Sequence, residues 1–289
     1  MRFCIIFLIV FPLNALCQTY YDGIILSKST KKRIPYASIG LLNQNKGTTS
    51  DEKGNFRLVS KYFGDSLIIS AVGYKTLKVA GSAIVGGMKF ELEENTVLLS
   101  EVIITKKPDT NISIALNNFN NCGIDYYSVG LGTYSQIAQH FYAPHENMQL
   151  IKLRICKLER KAIFRVRIYE MDSTTRKPSN EIVLNNILVN SENRNVNLNL
   201  ESDSIILKKI YFFIAIEWLF IPNNEFKVKT KINGKKIIYS NYSPSLTFKR
   251  KKSIILSNHL WMLNFNGKWQ NPIDFDSNHL FMISADLKN

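Results

Sequence analysis

From Tyr20 to Thr105 the apolar positions come in short alternating runs: Gly23-Ile24-Ile25-Leu26, Ala37-Ser38-Ile39-Gly40-Leu41, Asn55-Phe56-Arg57-Leu58, Ser66-Leu67-Ile68-Ile69-Ser70, Lys89-Phe90-Glu91-Leu92 and Val102-Ile103-Ile104. Runs of this length, set between turn residues and lacking any 3.6-residue stripe, predict an antiparallel β-sandwich. The pattern breaks at Lys106-Lys107-Pro108-Asp109-Thr110-Asn111 and through the Asn-rich stretch at 117–121. Proline and clustered Asn mark a domain boundary. Beyond Tyr126 the predicted strands lengthen: Gln149 to Cys156, Ala162 to Tyr169, Ile182 to Val189, Val196 to Leu200 and Tyr211 to Trp218. Phe164, Val166 and Ile168 alternate with Arg165, Arg167 and Tyr169, so one strand face is apolar and the other polar. The resulting division is a first sandwich over 19–105, a linker over 106–125 and a second, jelly-roll-like sandwich over 126–289.

Two turns are specific. In Lys46 to Phe56, Asp51 stands where its side chain can bond the backbone ahead, and Gly54 where a positive φ returns the chain to a strand. The oxygen ligands and closing Glu of a calcium loop are missing, so a hairpin explains the segment. Asn233-Gly234, between Phe226 to Ile232 and Lys235 to Tyr239, is the preferred two-residue hairpin turn.

Length and composition narrow the class. The chain has 289 residues, 45% hydrophobic and 21% charged, with 14 Gly and 8 Pro. It can bury a core and is neither collagen-like nor broadly disordered. Its 37 Lys and Arg against 23 Asp and Glu give a formal charge of +14. Met1-Arg2, the apolar run Phe3 to Phe11 and Pro12 to Cys17 have the form of a secretory signal peptide, residues 1–17, cleaved near Cys17 or Gln18. The run is shorter than the roughly 20 residues a membrane helix needs. Lipid attachment at Cys17 is the competing expectation, opposed by the bulky Leu16. The stretch Ile205 to Ile221 is interrupted by Lys208, Lys209 and Glu217, so no transmembrane segment is expected in the mature chain. Export permits a Cys122–Cys156 disulfide, with separate inert thiols as the alternative.

The first segment resembles a known family. Gly23-Ile24-Ile25, Ile34 to Ile39, Gly47 to Phe56, Asp65 to Ser70, Val72-Gly73-Tyr74 and Leu99 to Ile104 are similar, in order, to the carboxypeptidase-regulatory-like domain. The resemblance implies a transthyretin-like, Ig-type sandwich of seven strands. It also implies an accessory role, since such domains accompany zinc carboxypeptidases or open TonB-dependent outer-membrane receptors. Neither context continues here. None of His140, His145, His259 or His279 begins a His-x-x-Glu, and a receptor barrel needs hundreds more residues.

Catalytic constellations are missing: there is no Gly-x-Ser-x-Gly elbow, no phosphate loop and no His-Glu-x-x-His. No cofactor or metal is expected, and the chain is read as a non-enzyme. Glu217 stands alone in an apolar strand, where pairing with Arg165 or Arg167 would offset its burial. Lys227, Lys229 and Lys231 share one strand face, Lys249 and Arg250 begin a second basic cluster, and no acid lies between Glu225 and Asp274. That face suits an anionic partner, while lysines on an edge strand also deter aggregation. Trp261 and Trp269 could form a sugar-stacking platform or pack into the core. The expectation is an exported protein of the periplasm, outer-membrane surface or medium. It would bind envelope polysaccharide or another envelope polymer through Lys227, Lys229, Lys231, Lys249, Arg250, Trp261 and Trp269. The alternative is an accessory subunit docked on an outer-membrane protein; nucleic acid is not expected.

Overall fold

The structure, a computed structural model, describes residues 19–60, 64–95, 113–132, 134–183, 186–232, 234–250, 259–272 and 278–289. The signal peptide with Cys17, the strand expected at Val102 to Ile104, residues 106–112 of the linker, Asn233 of the hairpin turn, and Lys251 and Lys252 lie outside the described residues. No helix among the described residues is long and apolar enough to cross a membrane.

The chain is all-β. In the first unit, β1 (Thr19–Ser27), β4 (Asn55–Ser60) and β7 (Met88–Leu92) form one sheet, and β2 (Ser38–Leu41), β3 (Lys46–Thr49), β5 (Leu67–Ser70) and β6 (Leu77–Val79) form the other. The predicted runs at 23–26, 37–41, 55–58, 66–70 and 89–92 fall in these strands. β3 and β6 were not foreseen, being short and, in β3, polar. The β1–β7 pair runs parallel, unlike the antiparallel expectation. By the time the chain returns at β7 it has visited the opposite sheet, so no hairpin constrains its direction. Alternate side chains meet between the sheets, Ile25, Leu58 and Phe90 against Ile39, Leu67 and Ile69. The turn before β4 is built as anticipated: Asp51 Oδ1 accepts from the backbone N–H of Lys53 and Asn55, both at 2.8 Å, and Gly54 takes φ +72°.

In the second unit β8 (Ser113–Leu116), β9 (Tyr126–Gly130), β10 (Tyr134–Tyr142), β11 (Met148–Cys156), β12 (Ala162–Met171), β13 (Pro178–Glu181), β14 (Ile187–Ser191), β15 (Asn195–Asn199) and β16 (Ile205–Leu207) come first. Then follow β17 (Tyr211–Trp218), β18 (Glu225–Ile232), β19 (Lys235–Arg250), β20 (Leu260–Asn264), β21 (Trp269–Gln270), β22 (His279–Phe281) and β23 (Ile283–Lys288). One sheet has the order β13-β12-β17-β10-β20-β21, with β14 also on β12. The facing sheet is β15-β11-β23-β8, with β16 on β11, and a third is β18-β19-β22, with β9 on β19. Neighbours far apart in sequence, such as β11 and β23, are the crossovers of a jelly-roll-like sandwich. Phe164, Ile168, Phe212, Ile214 and Trp218 pack against Leu153, Ile155, Ile283 and Leu287. Each such fully buried side chain contributes about 1.5–3 kcal/mol.

Two boundaries differ from the sequence expectation. The strand expected at Ile182 to Val189 is interrupted, so β13 and β14 pair with β12 in succession, and Asn186 in the break accepts from Arg165 Nε at 2.6 Å. Residues 113–125 of the expected linker are built into the second unit. β8 pairs with β23, Phe119 is buried, Asn117 Nδ2 donates to the Ile283 carbonyl at 2.8 Å, and a Cys122–Cys156 disulfide ties the segment to β11. Asn117, which read as loop, serves here as a backbone partner, and Asn118 Oδ1 accepts from Arg154 Nη1 at 3.3 Å, an ambiguity intrinsic to Asn.

Candidate functional site

The two units meet on the outer face of the β12-β17-β10-β20 sheet. Its cross-strand rows read Arg165, Glu217, Gln136, Leu263 and then Arg167, Ala215, Ala138, Trp261. The first row is covered by the first unit. Arg165 Nη2 donates to the Tyr36 carbonyl at 3.1 Å, the Phe220 N–H donates to Thr49 Oγ1 at 2.7 Å, and Tyr36 packs with Ile163, Leu219 and Ile221. Phe265 presses on β2 and β3 so closely that a Cβ at Gly47 would lie 2.1 Å from its ring. Only glycine permits that approach.

Glu217 pairs as the sequence suggested. Arg165 Nη1 reaches its Oε1 at 2.8 Å and Arg167 Nη1 its Oε2 at 3.1 Å, while Arg167 also forks onto Glu181. Burial alone would push the Glu217 carboxyl up, but the two guanidinium groups outweigh it and hold the carboxyl below the ordinary carboxylate range. Two cations and two anions leave the site neutral.

Beside this network the units do not close. A cavity of about 110 Å³ is lined by Ser38, Ile68, Ser70 and Thr76 from the first unit and by Ser135, Gln136, Arg167, Glu217, Leu263, Asn264, Phe265 and Gly267 from the second. Gln136 Oε1 accepts from the Tyr169 hydroxyl at 2.9 Å and Asn264 Oδ1 from the Lys268 N–H at 2.8 Å, which leaves both amide nitrogens as spare donors. The Ser38, Ser70 and Thr76 hydroxyls likewise have no partner among the described residues. Neutral donors and acceptors thus converge on one cleft.

The predicted contacts divide into three places. Trp261 and Trp269 sit on adjacent strands and share a cluster with Tyr169 and Phe213. Trp261 is only 6% exposed, so its ring is packed rather than offered to a sugar. Trp269 is half-buried, edge-on to Tyr169 at 5.4 Å, and its cross-strand partner Leu263 lines the cleft. Lys227, Lys229 and Lys231 are exposed on β18, with Lys227 bonded to Glu225 at 2.7 Å. Lys249 and Arg250 lie at the other end of β19, pairing with Leu280 and His279. Nine residues of strand separate Lys249 from the partner of Lys227, up to about 30 Å at 3.3 Å per residue. The basic residues are near in sequence and apart in space.

Three further titratable side chains have structural partners. Glu170 pairs with Lys209 at 3.0 Å, and Asp172 caps the Thr174–Thr175 turn. His140 stacks on Tyr211, and no group of three His, Cys, Asp or Glu among the described residues is placed to hold a metal. The cleft itself carried no motif. Its walls come from two stretches far apart in sequence, from Ser38 to Thr76 and from Ser135 to Gly267, and single Ser, Thr, Gln and Asn side chains have no spacing to detect.

Residues 21–104 match the family model of the CarboxypepD_reg-like domain. That segment is a carboxypeptidase-regulatory-like domain, a non-catalytic module. Among solved structures the chain is similar to the clostridial cysteine protease Cwp84 after propeptide cleavage. The identity is 10% and the TM-score 0.42, over 94% of this chain and 71% of that one. A second similar structure holds the cysteine protease and lectin-like domains of Cwp84, a surface-layer-associated protein of Clostridium difficile. There the identity is 10% and the TM-score 0.36, over 93% and 58% of the two chains. No curated protein sequence matches.

Proposed function

We propose that this chain is a non-catalytic, exported envelope protein whose two units together bind a glycan segment. The observation that carries the reading is the cleft between them. Unpartnered hydroxyl and amide groups line it, and its charges are already neutralised, which suits an uncharged polyhydroxyl ligand better than an ion. Half-buried Trp269 stands cross-strand from Leu263 of the cleft wall, and the disulfide agrees with an oxidising compartment. The second reading, an accessory subunit docked on an outer-membrane protein, is favoured by the outer edge of β18. That edge pairs with no strand among the described residues and is open to strand addition.

Calorimetric titration of the chain with neutral oligosaccharides released from the envelope separates the two. Binding should weaken at least tenfold in Ser70→Leu, which fills the cleft, and in Thr76→Ala to a smaller degree. Equal affinity in both variants would refute the cleft as the site. No saccharide binding, together with co-purification of one outer-membrane protein, would favour docking.

A further inference from the structure

The β18–β19 hairpin is explained by neither the core nor the cleft. Among the described residues its first strand pairs only with its second, in the register Val228↔Tyr239, Thr230↔Ile237 and Lys229↔Ile238, so that there the ribbon extends from the body as two strands. An isolated two-stranded ribbon is at best marginally stable in water. Its distal half exposes three consecutive large apolar side chains, Ile237 at 39%, Ile238 at 61% and Tyr239 at 43%. Alternation sends Ile238 to the face of Lys229 and Ile237 and Tyr239 to the opposite face. The apolar surface therefore surrounds the ribbon instead of lining one side. Lys229, Lys231, Lys235 and Lys236 border it, all exposed, and Glu225 at the base is the only acid on either strand.

Each simpler account leaves part of this unexplained. Lysines alone would protect an edge strand, but three exposed apolar residues work against that protection. A soluble polyanion would engage the lysines and gain nothing from Ile238. A protein groove would cover one face. A lipid interface covers every side of an inserted tip, takes up aliphatic and tyrosyl groups, and lets lysine stems lie along the hydrocarbon with their ammonium groups at the phosphates. We propose that the β18–β19 arm docks this protein onto a bilayer surface bearing anionic phospholipids, inserting Ile237, Ile238 and Tyr239 while the surrounding lysines contact headgroup phosphate. This site is independent of the glycan cleft.

Flotation of the chain with vesicles tests the docking. Partitioning should be strong onto phosphatidylcholine vesicles containing phosphatidylglycerol and weak onto phosphatidylcholine alone. All variants carry the same first 18 residues, so differences report on the arm. The double variant Lys229→Gln and Lys231→Gln should lose on the order of 30-fold in partitioning, and Ile238→Ser should lose several-fold without changing the thermal transition. A Tyr239→Trp variant gives a local readout: its emission should shift to the blue and be quenched by lipids brominated on the acyl chains. Equal partitioning onto neutral vesicles, or an unquenched Tyr239→Trp emission, overturns the proposal. So does an Ile238→Ser variant that binds undiminished while the lysine variant loses vesicles and dextran sulfate alike, because the arm would then be a site for soluble polyanions. Loss of saccharide binding in the cleft variants leaves all these results untouched, so the two sites fail separately.

Discussion

Arg165-Val166-Arg167 in β12 and Lys227-Val228-Lys229-Thr230-Lys231 in β18 carry the same pattern, cations alternating with smaller residues along a strand. Their environments are opposite. The arginines lie under the first unit, bound to Glu217 and Glu181 with the Tyr36 carbonyl completing the shell. The lysines stand in solvent, one of them paired with Glu225. Alternation dictates which side chains share a face and is silent about what will cover that face. The arginines suit the covered position because a planar guanidinium satisfies two carboxylates at once, whereas a flexible ammonium is easily left hydrated.

Breaking the covered network should have the largest effect. Glu217→Ala leaves two buried guanidinium groups without their shared anion, and about 3–5 kcal/mol of unfolding free energy should be lost, measured by denaturant titration. A loss under about 1 kcal/mol would mean that water enters the interface and the contrast with the arm is false. The next effect belongs to His140 on the same sheet face. Burial, with His259 and Arg176 adding, pulls its pKa down to about 4, against about 6.5 in an unfolded chain. Between these values the unfolded state binds more protons, so stability falls as pH drops from about 6.5 toward 4. The loss should reach about 2 kcal/mol for this part-buried ring, and unfolding at pH 7 and pH 4.5 in wild type and His140→Phe should show it disappearing in the variant. The smallest effect is expected on the arm, where Lys229→Glu with Lys231→Glu should change stability by no more than about 0.5 kcal/mol. A larger change in thermal unfolding would show that the arm packs on the body.

Legibility followed locality. Most strands of the first unit and the antiparallel pairing of β18 with β19 were readable because period-2 patterning and turn chemistry act over a few residues. The partner of Glu217 was readable in kind, since an isolated carboxylate in an apolar strand must find a cation. The fate of Trp261 was not, because a large aromatic reads the same whether it packs against Tyr169 and Phe213 or faces a ligand. The inclusion of residues 113–125 in the second unit was hidden for a similar reason. Their Asn-rich composition describes a solvated loop and a segment bonded to its neighbours equally well.

By itself the sequence determined the β character of both units, the regulatory-like family of residues 21–104, and the faces on which its charges fall. These follow from short-range periodicity and local backbone preference. Only the tertiary structure decided that Cys122 meets Cys156, that one alternating cationic strand is buried and the other projects, and that the units meet without closing over a polar cleft. Each of these depends on surfaces brought together from distant parts of the chain, where shape and mutual burial set the outcome and no local pattern records it.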